Sequence, residues 1–160
     1  KRVMEVRDRV KGIHGVVADL IDVPKEYEIA IETALGGSIQ NIVTDSEQTA
    51  KILIEHLKKN RDYAVDRLNR MPMIQAYHPH ATYLLYVDIR AFGMKSEEFT
   101  DYMKEKVKLA VVSGGEKFFG SGSEGYIRIC FATSHEILEE GLNRLEKGID
   151  MLIREKNLEK

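Results

Sequence analysis

Only a few residues in this 160-residue chain are of types, and at spacings, that support chemistry. The run Gly120-Ser121-Gly122-Ser123-Glu124-Gly125 fits GxGxxG, in which glycines bring backbone N–H groups onto a pyrophosphate at a helix N-terminus. Here the run leads into a strand pattern instead of leaving one to open a helix, so a plain loop is expected. His78 and His80 flank a proline in a turn from which both could face one metal, but no third ligand is identifiable, so an exposed turn is expected. His14, His56 and His135 are scattered. Cys130 falls within a strand pattern with no activating base nearby, and no GxSxG elbow or HExxH run occurs. Arg128 stands out: it lies mid-strand on the face opposite Ile127, Ile129 and Phe131, where a guanidinium can grip a carboxylate with two parallel hydrogen bonds. The competing reading is a surface arginine that reaches solvent or pairs with Asp88 or Glu124.

The elements that must position these residues follow from periodicity. Residues 1 to 10 read as the end of an exposed helix, stopped by Gly12 and Gly15, with a strand expected over Val16 to Val23. Pro24 opens a helix that Gly36 and Gly37 end, and Gln40 to Thr44 is a second strand. Asp45 and Ser46 are N-caps, with Gln48 near the capping-box position. The apolar spacing then stays helical for about 25 residues, roughly 37 Å at 1.5 Å per residue. Ala50, Leu53, Leu57, Ala64 and Leu68 form one stripe through the polar interval Asn60, Arg61, Asp62, and Pro72 ends the helix.

A strand around Met73 to Tyr77 comes next, and Tyr83 to Arg90 alternates Leu85, Val87 and Ile89 with polar partners, the pattern of a half-covered strand. Ser96 caps a helix to Lys106, Lys108 to Ser113 is a strand, and Gly114 to Gly125 is a loop. Tyr126 to Thr133 is the last strand, and Ser134 opens the closing helix to Ile153. The order is βαβ, a long helix, then ββαββα. The expectation is an α/β (α+β) chain of two small mixed sheets sharing one long central helix.

Composition bounds the function. With 43% hydrophobic residues the chain can bury a core without disulfides or metals. A net charge of -2 with no single-sign block gives no basis for strong nucleic-acid binding or a membrane patch. The single cysteine suits a reducing, cytoplasmic setting, no apolar run approaches the roughly 20 residues of a bilayer span, and the start at Lys1 is expected of an excised piece.

The blocks Gly12-Ile-His-Gly-Val-Val-Ala-Asp-Leu-Ile-Asp-Val, Lys25-Glu-Tyr-Glu-Ile-Ala-Ile-Glu-Thr-Ala-Leu-Gly-Gly, Gln40-Asn-Ile-Val-Thr-Asp and Thr49-Ala-Lys-Ile-Leu-Ile-Glu-His-Leu-Lys-Lys-Asn resemble, in order, the first part of the hinge domain of SMC chromosome-condensation proteins. The resemblance covers about residues 1–60. It implies a module that dimerises at the end of a coiled coil, although the second hinge subdomain has no counterpart here.

Beyond it, Arg61-Asp-Tyr-Ala-Val, Pro79-His-Ala-Thr-Tyr-Leu-Leu-Tyr-Val-Asp, Val111-Val-Ser-Gly-Gly and Phe119-Gly-Ser-Gly-Ser-Glu-Gly-Tyr-Ile-Arg-Ile-Cys-Phe-Ala resemble the C-terminal small domain of fold type I aminotransferases, in the cystathionine β-lyase-like branch. This covers about residues 61–157, and by it Arg128 matches the arginine that binds the substrate α-carboxylate. The lysine that forms the Schiff base, the aspartate facing the pyridine nitrogen and the phosphate cup belong to a large domain without a counterpart here.

The expected division is therefore 1–60 and 61–160, with the junction inside the helix spanning about 46–70. Overlaying two helices preserves backbone geometry and the phase of the stripe while exchanging what lies on either side. The expectation is an engineered chimera that is no enzyme, with no catalytic residues, no cofactor, no metal and no required partner, though self-association stays open. A fragment of a pyridoxal-phosphate-dependent C–S lyase or aminotransferase, and an SMC-hinge-like dimerisation module, are the alternatives.

Overall fold

The computed structural model describes residues 10–157; the helix end expected over residues 1 to 10 lies almost wholly outside them. The chain divides into two compact units between His56 and Leu57.

In the first unit, β1 (Ile13–Val16) runs antiparallel to β2 (Ile42–Thr44), pairing Gly15 with Val43 and Val16 with Ile42. The turn before β1 depends on Gly12 at φ +95°. Its carbonyl accepts the Asp45 N–H at 2.8 Å, and any Cβ there would run into the Asp45 carboxylate. The strand expected over Val16 to Val23 lies earlier, because β2 offers only three residues. Val17 N–H makes the last cross-strand bond, to Asn41 O at 3.0 Å, and with no further partner the chain coils into α1 (Val17–Leu20). A 3-10 turn at Lys25–Tyr27 leads into α2 (Glu28–Leu35), which ends at Gly36 with φ +49° as the glycine pair predicts. The core here is small: Ile13 and Leu53 are buried, with Val10 and Ile42 against them.

The long helix α3 (Glu47–Arg70) is continuous across the division. Ser46 is its cap, its Oγ accepting the Thr49 N–H at 3.2 Å, and Thr49 Oγ1 donates to Asp45 Oδ1 at 2.6 Å. The third residue after the cap is Thr49, not Gln48, so the capping partner is a hydroxyl. Leu53 belongs to the first unit's core, whereas Leu57, Ala64 and Leu68 belong to the second's. Asn60, read from sequence as part of a polar interval, is 1% exposed and lies on the same buried stripe.

The second unit holds a four-stranded sheet in the order β3-β4-β6-β5, from β3 (Gln75–Ala76), β4 (Leu84–Asp88), β5 (Val112–Ser113) and β6 (Tyr126–Cys130). The α/β class holds, but both sheets are antiparallel throughout, not mixed, since the chain reverses between every bonded pair. Asn69 anchors β3 by mimicking a strand: it accepts the Ala76 N–H at 2.8 Å and donates to Ala76 O at 3.0 Å. β5 is shorter than Lys108 to Ser113, because Lys108 turns left-handed at φ +56° and Leu109 N–H closes α4 (Ser96–Val107) onto Met103 O. A one-turn helix, α5 (Glu116–Phe119), interrupts the loop before β6.

One sheet face is covered. Leu85, Val87 and Ile127 are buried with Phe99 and Met103 of α4, Leu142, Leu145 and Ile149 of α6 (His135–Lys156), and Ala64 and Leu68 of α3. Each large apolar side chain so buried contributes about 1.5–3 kcal/mol. Among the described residues no helix is long and apolar enough to cross a membrane.

Candidate functional site

The alternation that buries Leu85, Val87 and Ile127 turns Tyr86, Tyr126 and Arg128 to the other face, because successive strand side chains point to opposite sides. Arg128 lies directly across from Tyr86 on β4 and Val112 on β5, at the centre of this open face. Its guanidinium carbon sits 5.4 Å from the centroid of the Phe119 ring, a cation–π contact made by α5. Phe119 meets Tyr86 edge-on at 5.5 Å, and Tyr86 lies 5.9 Å from Tyr126. Burial pushes the Tyr86 phenol above its ordinary pKa, with the Arg128 charge opposing, so it is a neutral donor beside the guanidinium.

Both carboxylates weighed as partners of Arg128, Asp88 and Glu124, are engaged elsewhere. Asp88 accepts from Arg90 through Nη2 at 2.6 Å and Nε at 3.0 Å, and this pairing holds its carboxyl below the usual aspartate range. Arg90 also stands 5.2 Å over the Tyr126 ring. Glu124 accepts the Ser96 N–H at the start of α4, and this bond leads the causes that hold its carboxyl low. Ser96 is thus the first residue of α4, not its cap. Its hydroxyl accepts instead from the N–H groups of Gly125 at 2.9 Å and Tyr126 at 3.1 Å, which fixes the loop at the entrance to β6. Arg128 is left without a carboxylate partner among the described residues, in an aromatic setting made by Phe119 and Tyr86.

The other sequence candidates are not drawn into this face as a set. His78 Nε2 lies 2.9 Å from Asp62 Oδ1, and His80 is exposed. No group of three His, Cys, Asp or Glu side chains is placed to hold a metal among the described residues. In the glycine-rich loop, Gly122 N–H donates to Glu116 Oε1 at 3.1 Å, so a carboxylate of the chain itself occupies the amide that a phosphate would need. Cys130 is half-buried on the open face, across from Leu84. Sequence reasoning missed Phe119 and Tyr86 as partners of Arg128. The available signal was the Phe118-Phe119 pair entering the glycine-rich loop.

The model of the SMC proteins' flexible hinge domain matches residues 10–86. The chromosome partition protein Smc of Halothermothrix orenii is 46% identical over 61 residues, 38% of this chain and 5% of that protein. An aspartate aminotransferase of Pyrococcus horikoshii is 38% identical over 109 residues, 66% of this chain and 27% of that enzyme. A PLP-bound aminotransferase from Clostridium difficile 630 superimposes with a TM-score of 0.61 at 28% identity, covering 79% of this chain and 36% of that one. Cystalysin from Treponema denticola, at 24% identity and a TM-score of 0.62, shares the fold. The chain spans about a quarter of the aminotransferase and about a twentieth of the Smc protein. One polypeptide thus combines a segment similar to the SMC hinge with a segment similar to the aminotransferases, a chimera-like pairing of two families.

Proposed function

We propose that this chain is an engineered composite without catalytic activity of its own, made to place two native fragments on one shared helix. The observation that carries the reading is the continuity of α3. A single 24-residue helix supplies Leu53 to one core and Leu57, Ala64 and Leu68 to the other without losing phase. A fusion made by overlaying two helices has this property. Such a chain needs no partner, and the free Cys130 suits a reducing compartment.

Arg128, Tyr86 and Phe119 suit a carboxylate, but strands β3 to β6 carry no lysine. The strands of this face therefore offer pyridoxal phosphate no amine with which to form an imine, and the one lysine of α5, Lys117, is paired with Glu97 at 3.2 Å, so the residues present do not fit the cofactor. Mixed with pyridoxal phosphate and a cystathionine-type thioether amino acid, the protein is expected to give neither an internal aldimine spectrum nor turnover. Turnover that disappears in a folded Arg128→Ala variant would refute the reading.

A second reading, a module that associates with itself as a hinge does, is favoured by the apolar surface of the first unit. Tyr27 is 56% and Ile29 80% exposed, with Leu20 and Ile21 also uncovered. Sedimentation across a range of concentrations separates monomer from dimer. Nucleic-acid binding is expected to be weak and salt-sensitive at a net charge of -2, and a nanomolar complex at physiological salt contradicts that.

A further inference from the structure

The two units differ sharply in how much they bury. The first closes around Ile13 and Leu53, whereas the second buries residues from three long helices and a sheet, so the first is expected to open at lower free energy. Since α3 belongs to both, opening of the first unit exposes the helix to unwinding along its length, each residue costing little once its neighbour has been released.

Asn60 is the first fully buried residue of α3 beyond the division at Leu57. Its position on the stripe suits a leucine, yet its Nδ2 donates to Phe131 O at 3.1 Å and to Thr133 O at 2.8 Å. Its Oδ1 lies 3.3 Å from His135 Nδ1. These partners are the residues that leave β6 and begin α6, more than 70 positions away in sequence. A buried amide so engaged is expensive to displace, because release strands polar groups on both sides, and a polar side chain on an apolar stripe fixes register.

We propose that Asn60 is an end-stop: it anchors α3 to the corner between β6 and α6, so that the first unit opens without unwinding the second. This rests on α3 being one helix common to both units, and the test reads the anchor separately from catalysis or assembly.

Hydrogen exchange on the full chain tests it. In the parent, amides of residues 13–44 are expected to exchange faster than those of 61–70. In Asn60→Leu, protection of 61–64 and 131–137 is expected to fall on the order of tenfold, with β4 unchanged. Should that variant fail to fold, Asn60→Asp serves. An ionised carboxyl facing two carbonyls is repelled, whereas the protonated form restores one donor, so burial and the carbonyls raise its pKa. A charged His135 ring, whose Nδ1 faces the same side chain, acts the other way on that pKa and likewise eases the variant at acid pH. Its deficit in melting midpoint against the parent should therefore be smaller near pH 5 than near pH 7.5. Unchanged protection in Asn60→Leu, or an equal deficit of Asn60→Asp at both pH values, overturns the proposal.

Discussion

The guanidinium of Arg128 stands over the ring of Phe119, 5.4 Å from its centroid, and not against either acidic side chain near it in sequence or register. A partly exposed cation–π contact contributes about 0.5–1 kcal/mol. Arg128→Ala is therefore expected to lower stability by no more than about 1 kcal/mol, read from denaturant melts. A much larger loss would mean that the arginine holds the sheet together and is not held ready for a ligand.

That face was half legible in the sequence. The alternation of Ile127 and Ile129 with Tyr126 and Arg128 places the arginine on the open side, since period two is a local property. Phe119 was not legible as its partner, because the loop geometry that brings α5 over β6 has no periodic signature. The same distinction runs through the fold. The apolar positions Leu53, Ala64 and Leu68 on α3 and the glycine stop of α2 are local and legible, but Leu57, expected under the first sheet, packs in the second unit's core. The apolar run from Val16 to Val23 has no period, and the three-residue length of β2 decides where pairing ends. Ser96 signals a helix start to within one residue, but Gly125 and Tyr126 claim its hydroxyl from about 30 positions away. Asn60 reads as surface until Phe131 and Thr133 are placed beside it.

Acid sensitivity should report the latch between Glu124 and α4. The backbone N–H of Ser96, followed by its side chain, holds the Glu124 carboxyl below the ordinary value of 4.5. A group with a lowered folded pKa stabilises fully above its unfolded pKa and loses that contribution as pH falls through the folded value. The second unit should thus weaken below about pH 4.5, and Glu124→Gln should flatten that part of the pH profile. Identical acid limbs for parent and variant in melts from pH 3 to 7 would rule the latch out.

Two glycines of α6 should respond in opposite directions to the same change. A Cβ on Gly148 would collide with Met103 Sδ and approach Val107 Cγ2 to 3.1 Å, where α4 and α6 press together. Gly141 has only Leu109 Cδ1 at 4.0 Å. Gly148→Ala is expected to cost about 1–3 kcal/mol through overpacking, and Gly141→Ala to gain about 0.5–1 kcal/mol of helix propensity. Thermal melts of the two variants check the sign of each, and a stabilising Gly148→Ala would show that α4 gives way freely.

A proline at position 61 tests whether the middle of α3 is structural for the second unit. Arg61 follows Asn60 directly and lies inside the unit that begins at Leu57, so its N–H belongs to the helix interior. Arg61→Pro removes that donor and sets the ring against the preceding turn, at a cost of about 3 kcal/mol. Part of the loss would reach the carbonyls of Phe131 and Thr133, because a kink at 61 moves the Asn60 amide that they accept from. Against a typical domain stability of about 5–15 kcal/mol, the midpoint for the second unit should fall clearly while its fold persists. Circular dichroism should follow loss of helix in one transition of that unit. A melt indistinguishable from the parent would mean that α3 is already broken there in solution, with the two units joined by a flexible linker instead of a common helix.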